Sequence, residues 1–173
     1  DLENFLAAST IAFQLGIKIE KISKSINSFL GIRRRFEYHI NTKNQIFIED
    51  YAHHPKELDA LISSLRLMYD SKKITMIFQP HLFSRTKDFL DEFAVSLSKV
   101  DTLILLDIYP ARESPIKGFG IENLFQLIKL KDKKQISNTE LAPLISKLKP
   151  KILVSVGAGD ITTFSKKLKD VLQ

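Results

Sequence analysis

Residues 48–60, "IEDYAHHPKELDA", decide how this chain folds. The run "QIFIED" reads as a strand that ends on two carboxylates, Glu49 and Asp50. Pro55 then opens "PKELDALISSLRLMY", an amphipathic helix, because proline suits the first helical turn. A strand that passes into a helix through one short turn is the first half of a βαβ unit. That turn holds Tyr51, His53 and His54. Adjacent side chains on a strand point to opposite faces, so the two histidines share a site only if the backbone turns there.

The pattern repeats on the C-terminal side. "KITMIFQ" is a strand and "SRTKDFLDEFAVSLSKV" a helix, with Ser84 as its expected N-cap. "TLILLDI" is the continuous apolar run of a strand covered on both faces. "IENLFQLIKL", "KQIS", "TELAPLISKLK", "KILVSVG" and "DITTFSKKLKDVL" continue the alternation. On the N-terminal side, "FEYHI" and "QIFIED" suggest an antiparallel pair around "NTKN". The expected class is α/β, a mainly parallel sheet flanked by helices on both sides. Ahead of it, "NFLAASTIAFQL" and "KIEKISKSINSFL" read as two amphipathic helices. Two helices cannot close a core alone, so they are expected to belong to another domain, and the chain to be a fragment.

Composition excludes several classes. The chain has 173 residues, 44% hydrophobic and 27% charged, within the range of globular domains. It has no Cys, so neither a disulfide framework nor thiolate metal ligation is available. No apolar run suits a membrane span and no signal pattern opens the chain, so the cytoplasm is the expected compartment. The net charge of +6 is spread over lysine-rich helix faces, with one compact cluster, Arg33, Arg34 and Arg35. No aromatic–basic interleaving points to nucleic acid. Small anions, phosphates above all, suit three arginines better.

Ligands of open α/β sheets bind beyond the carboxyl ends of the strands. Four polar loops fall there: residues 50–55, 79–85, 107–120 and 157–160. Three of the four histidines lie in the first two. Asp50 could bind a ribose hydroxyl, Arg85 a carboxylate, and His53 and His81 an amine or carboxylate. Each also has a plainer reading: a histidine as helix cap or core partner, Pro80 as a turn former, "GAGD" as a tight strand-to-helix turn. Zinc is the rival ligand for three histidines and an aspartate, but no HxH or HxxxH spacing supports it. No G-x-S-x-G elbow is present.

These loops resemble one family. "EDYAHHPKE" is similar to the D-D-Y-x-H-H-P-x-E motif of the Mur ligases, and "FQPHLFSRT" to F-Q-P-H-x-x-[ST]-R-T. "RRFE" at residues 34–37 resembles the segment that joins the central and C-terminal domains. "LLDIYPARESPI" and "VSVGAGDI" resemble later segments, and "NFLAA" the end of H-N-x-x-N-x-x-A-A. The six motifs stand in family order along the whole chain. The branch they resemble adds L-alanine to UDP-N-acetylmuramate. The ligase that recycles murein tripeptide shares D-D-[FY]-x-H-H-P, but "FQPH" favours the L-alanine branch. A stand-alone module for an anionic ligand is the other alternative.

The resemblance implies residues 1–33 as the helical end of a central ATP-binding domain and 34–173 as a C-terminal Rossmann-like domain. It implies ATP-dependent amide formation through an acyl phosphate, with Mg²⁺ held mainly by the central domain. Asn4, Arg35 and Asp50 would face ATP, at adenine, phosphates and ribose. Tyr51, His53, His81 and Arg85 would surround the amino acid, with Arg85 on its carboxylate. Arg35 and His53 are the catalytic candidates, and His54 is expected to face inward. Leu82 stands where many members have a basic residue, Asp1 where the motif has its first Asn, and Glu49 where it has Asp. The chain carries no P-loop and no uridine-binding region, so alone it is expected to be inactive.

Overall fold

The computed structural model describes residues 2–173, the side chain of residue 2 excepted. Asp1, the first departure from the motif, lies outside them. The chain divides into two compact units, one ending at Gly31 and the other Ile32–Gln173.

The first unit is a helical pair, α1 (Leu2–Gln14) and α2 (Ile19–Asn27). Phe5 and Phe29 meet edge to face, 5.7 Å between ring centres. None of the α2 residues is buried. Leu6, Ile11, Phe13, Ile19 and Leu30 are all exposed.

The second unit is built on one six-stranded sheet. Its strands are β1 (Glu37–Asn41), β2 (Ile46–Asp50), β3 (Ile74–Phe78), β4 (Thr102–Leu105), β5 (Lys133–Gln135) and β6 (Ile152–Val156). Their order is β1-β2-β6-β3-β4-β5. β1 runs antiparallel to β2, and every other neighbouring pair is parallel. β6 is inserted between β2 and β3, so the ends of the first, last and second parallel strands lie side by side. The β1–β2 register slips between Tyr38 and Ile40, and β5 has only three residues.

The period of two in the strands feeds two cores. Ile48, Met76, Phe78 and Val154 face one side, against α3 (Pro55–Tyr69), α5 (Leu90–Leu97) and α6 (Ile121–Leu127). Phe47, Ile77, Ile104 and Leu153 face the other, against α7 (Leu141–Leu148) and α8 (Ser165–Leu172). Leu58 and Leu65 of α3 are fully buried. Each such side chain contributes about 1.5–3 kcal/mol by leaving water.

α3 starts as the sequence suggests, with Pro55 in its first turn. His54 is its N-cap: the ring Nδ1 accepts from the Lys56 amide at 3.3 Å, and Glu57 accepts from the His54 amide at 3.1 Å. The His54 ring packs edge-on against Phe89 at 4.6 Å. The single helix expected from Ser84 onward is instead two, α4 (Phe83–Asp88) and α5, parted at Phe89. Nothing in "KDFLDE" marks the break, because no Gly or Pro stands there. Ser84 is not the cap either. Leu82 precedes α4 with φ 74°, a left-handed conformation unusual for leucine. The last two helices each begin with a 3₁₀ turn, Asn138–Glu140 before α7 and Asp160–Phe164 before α8. Among the described residues no helix is long and apolar enough to cross a membrane.

Candidate functional site

The carboxyl ends of β2, β6 and β3 are stitched together by backbone hydrogen bonds. The Gly157 amide donates to the Asp50 carbonyl at 3.1 Å, and the Gln79 amide to the Val156 carbonyl at 3.0 Å. This brings three of the four loops to one edge of the sheet. The fourth joins through Tyr109, whose carbonyl accepts from the Leu82 amide at 2.9 Å and whose amide donates to Pro80 at 2.8 Å.

Two glycines make that closeness possible. Gly157 has φ 152°, and a Cβ there would lie 2.7 Å from the Gln79 carbonyl oxygen. A Cβ at Gly159 would lie 2.6 Å from both the Gln79 side-chain oxygen and the Tyr109 ring. Gln79 is itself buried, its amide donating to Asp160 at 2.7 Å and its oxygen accepting from the Ile161 amide at 3.0 Å. The "GAGD" glycines therefore serve close backbone approach and strand-to-helix turning.

The three arginines do not form one anion site. Arg34 turns inward, donating to the Gly157 and Gly159 carbonyls at 2.7 and 3.2 Å. Its Nε lies 3.3 Å from Glu49, close enough to pair but not aligned for a hydrogen bond. Glu49 is 1% exposed and also accepts from Ser165 at 2.6 Å, with His39 Nε2 at 2.7 Å. Its carboxyl lies below its ordinary value. Burial pushes it up, but the hydroxyl bonds and His39 together outweigh that. Arg35, by contrast, keeps half of its side chain exposed and stands 4.0 Å from Glu57. Such a guanidinium is free to take a phosphate or carboxylate.

Asp50 lies one residue beyond Glu49 and on the opposite face. Its two oxygens accept from the Phe36 and Ala52 amides, both at 2.8 Å. Burial raises its carboxyl above the ordinary value despite those bonds and nearby Arg35. Asp50 thus ties the Arg34–Phe36 turn, where both residues have positive φ, to the end of β2. Carboxylate lone pairs remain for a hydroxyl.

Tyr51, His53, His81 and Arg85 do come together. Arg34 and Arg35 approach the Tyr51 ring at 4.6 and 5.4 Å, and His53 meets it edge-on at 5.2 Å. His53 and His81 are 6.3 Å apart, ring centre to ring centre. His81 stacks on Tyr109 at 5.7 Å, and its Nδ1 lies 3.4 Å from Arg85.

The partners fix the tautomers of the two rings. His53 Nδ1 faces two acceptors, the Tyr51 carbonyl at 2.9 Å and Glu57 at 3.4 Å. It therefore carries the proton, and in the neutral ring Nε2 is an acceptor. His81 Nδ1 faces a guanidinium, which only donates. Its proton belongs on Nε2, which is a donor. Burial first, then the charge of Arg85, hold His81 below its ordinary value of 6.5, so it is neutral at pH 7. One proton acceptor and one proton donor, with a cation beside them, suit an amino acid's two ends.

Asn4 is exposed on α1, in the other unit. For a cation, one group among the described residues has the right donors, Glu37, His39 and Glu49, within 4.8 Å of one another. Glu37 already accepts from the Arg34 amide at 2.7 Å, and Glu49 holds Arg34, His39 and Ser165. These residues do not fit Mg²⁺, which wants free oxygens and keeps its waters. Sequence reasoning gave no role to Gln79, Tyr109 or Glu113, and placed Arg34 in an anion-binding cluster, whereas it is committed to the Gly157 and Gly159 carbonyls. Arg34 had a signal only in its motif, since its carbonyl partners lie more than a hundred residues away.

Comparison with known proteins agrees with this fold. The family described as "Mur ligase, glutamate ligase domain" matches residues 34–161. The UDP-N-acetylmuramate–L-alanine ligase of Flavobacterium psychrophilum is 45% identical over 161 residues, covering 93% of this chain and 36% of the relative. That of Parabacteroides distasonis is 43% identical over 172 residues, covering 99% and 37%. The chain thus spans little more than a third of these curated relatives. Among solved structures, the UDP-N-acetylmuramate–alanine ligase of Thermotoga maritima matches with TM-score 0.73 at 24% identity, over 96% of this chain and 36% of that one. A murein peptide ligase of Psychrobacter arcticus matches at 0.67 and 17%, over 99% and 36%. At those identities the structures speak for the fold alone. The family match spans most of the αβ unit and its strand-end loops, and by it the chain belongs to the Mur ligase family.

Proposed function

We propose that this chain is the C-terminal part of an ATP-dependent ligase that joins L-alanine to UDP-N-acetylmuramate in bacterial peptidoglycan synthesis. The observation that carries this reading is the group of His53, His81 and Arg85 at the strand ends, two imidazoles of opposite polarity beside one cation. Kinship with curated L-alanine ligases at 45% and 43% identity supports the choice of amino acid. On this reading residues 1–33 end a central ATP-binding domain and residues 34–173 are the ligase domain. The enzyme works in the cytoplasm, and the chain alone is inactive.

ATP, with Mg²⁺ held mainly by the central domain, supplies the phosphoryl group that activates the sugar-linked carboxylate as an acyl phosphate. The remaining work falls to residues of this chain. Arg85 and the His81 Nε2 proton hold the L-alanine carboxylate. His53 Nε2 accepts a proton from the ammonium, leaving an amine that can attack. Tyr51 walls the pocket, and Arg35 neutralises phosphate charge. Asp50 takes a ribose hydroxyl while its bonds to Phe36 and Ala52 hold the turn in place. Asn4 contacts adenine. Leu82 adds no charge, so Arg85 is the cation for the carboxylate.

The test is phosphate release by the full-length protein with ATP, Mg²⁺ and UDP-N-acetylmuramate, with and without L-alanine. Release should require L-alanine. Arg85→Ala should raise KM for L-alanine about tenfold or more, and His53→Ala should lower kcat by about 10²-fold, the usual worth of a general base. Release that ignores L-alanine but responds to murein tripeptide would replace this reading with the recycling ligase.

A further inference from the structure

The loop at residues 107–113 grips the segment that carries His81 and Arg85 on both of its flanks. Ahead of the helix, Tyr109 forms a bridge with His81 and stacks under its ring at 5.7 Å. At the first turn of the helix stands Glu113, which accepts from the Ser84 amide at 2.9 Å and also from the Ser84 hydroxyl.

These bonds answer a local need. The first amides of a helix lack partners inside it. The usual remedy is a side chain at the N-cap, but here the N-cap is Leu82, which has none to offer. Leu82 also sits at φ 74°, so the backbone between His81 and α4 is held in a conformation it would not choose. A carboxylate brought from 29 residues away supplies the missing acceptor, and negative charge is favoured at that end of a helix. Glu113 itself is fixed by a turn, its amide donating to the Pro110 carbonyl at 2.9 Å. His81 lies just before Leu82 and Arg85 one turn after it, so the backbone that Glu113 pins determines where both side chains stand.

From this geometry we infer that Glu113 is a positioning residue for amino-acid binding, acting through segment 81–85 rather than touching substrate. The inference rests on the proposed function, because it assigns the amino acid to His81 and Arg85. Loss of Glu113 loosens α4 and spreads the Arg85–His81 pair, so binding suffers while the proton acceptor, His53, on the β2 loop, is untouched.

The experiment compares wild type, Glu113→Ala and Glu113→Gln in the full-length protein, by L-alanine-dependent phosphate release. Glu113→Ala should raise KM for L-alanine about tenfold, with kcat within about threefold and KM for ATP unchanged. Glu113→Gln keeps an acceptor oxygen for the Ser84 amide and should recover most of the affinity. Unchanged KM for L-alanine in Glu113→Ala would overturn the inference, as would a collapse of kcat at unchanged KM, which would put Glu113 at the reacting atoms. If wild type itself shows no L-alanine dependence, the proposed function has failed separately. Amide exchange then decides about Glu113. The Ser84 amide should exchange at least about tenfold faster in Glu113→Ala while those of α3 do not change, and an equal rate would overturn its role in holding the segment.

Discussion

Two polar clusters flank the end of β2, and they share two residue types. On the α8 side Glu49 gathers Arg34, His39 and Ser165. On the other, Tyr51, His53, His81 and Arg85 surround the strand ends. Each contains histidine and arginine, yet one is a clasp and the other a candidate site. The difference lies in how many groups are already spent. The Glu49 carboxylate is buried and shared by three side chains, and Arg34 is committed to two glycine carbonyls. In the second cluster each imidazole uses only Nδ1 within the fold, and Nε2 remains. A site is marked here by unspent valence rather than by residue type.

The sharpest way to break this contrast is to empty the clasp. Glu49→Ala leaves the Arg34 guanidinium without its carboxylate, and breaking such a buried pair should cost about 3–5 kcal/mol of stability. Denaturant midpoints would read it, and a loss below about 1 kcal/mol would dissolve the distinction. Next comes the floor on which Arg34 rests. Gly157→Ala sets a Cβ against the Gln79 carbonyl at a φ alanine disfavours, and should cost about 2–3 kcal/mol.

A gentler probe is pH. Glu49 titrates below its ordinary 4.5, so its contribution is complete above that value and is lost as pH falls through the depressed one. The stability gap between wild type and Glu49→Gln should therefore narrow as the solution is acidified below pH ~5, the range in which paired carboxylates are titrated. Asp50, held above its ordinary value, has the opposite sign, but it is common to both proteins and drops out of the gap. The smallest effect belongs to the open cluster. His53→Ala and Arg85→Ala should each change stability by no more than about 0.5 kcal/mol, as surface substitutions do. A larger loss from either would make that cluster structural as well.

The central strands are readable because burial on both faces leaves short, almost wholly apolar runs in β3 and β6, and α3 because one buried face imposes a period of about 3.6, with Pro55 punctuating the change. The gathering of four loops followed from the rule for strand ends in parallel sheets. What stayed hidden depends on distant partners. The break at Phe89 comes where its ring meets His54, and no local residue announces it. Leu82 adopts a left-handed backbone against its own preference because Tyr109 and Glu113 hold its neighbours. Arg33, Arg34 and Arg35 look alike in sequence, and only the fold sends Arg34 to Gly157 and Gly159. His54, expected to face inward, is half-buried like His53, caps α3 and packs on Phe89.

The two margins of the sheet also have a consequence for handling the protein. At one side β1 slips register, and at the other β5 is three residues long and begins with two lysines, Lys133 and Lys134. Irregular, short or charged margins are poor templates for a foreign strand. Crowded samples, or nascent chains on neighbouring ribosomes, should therefore not zip together along this sheet. Light scattering at rising concentration should show no growth by strand addition.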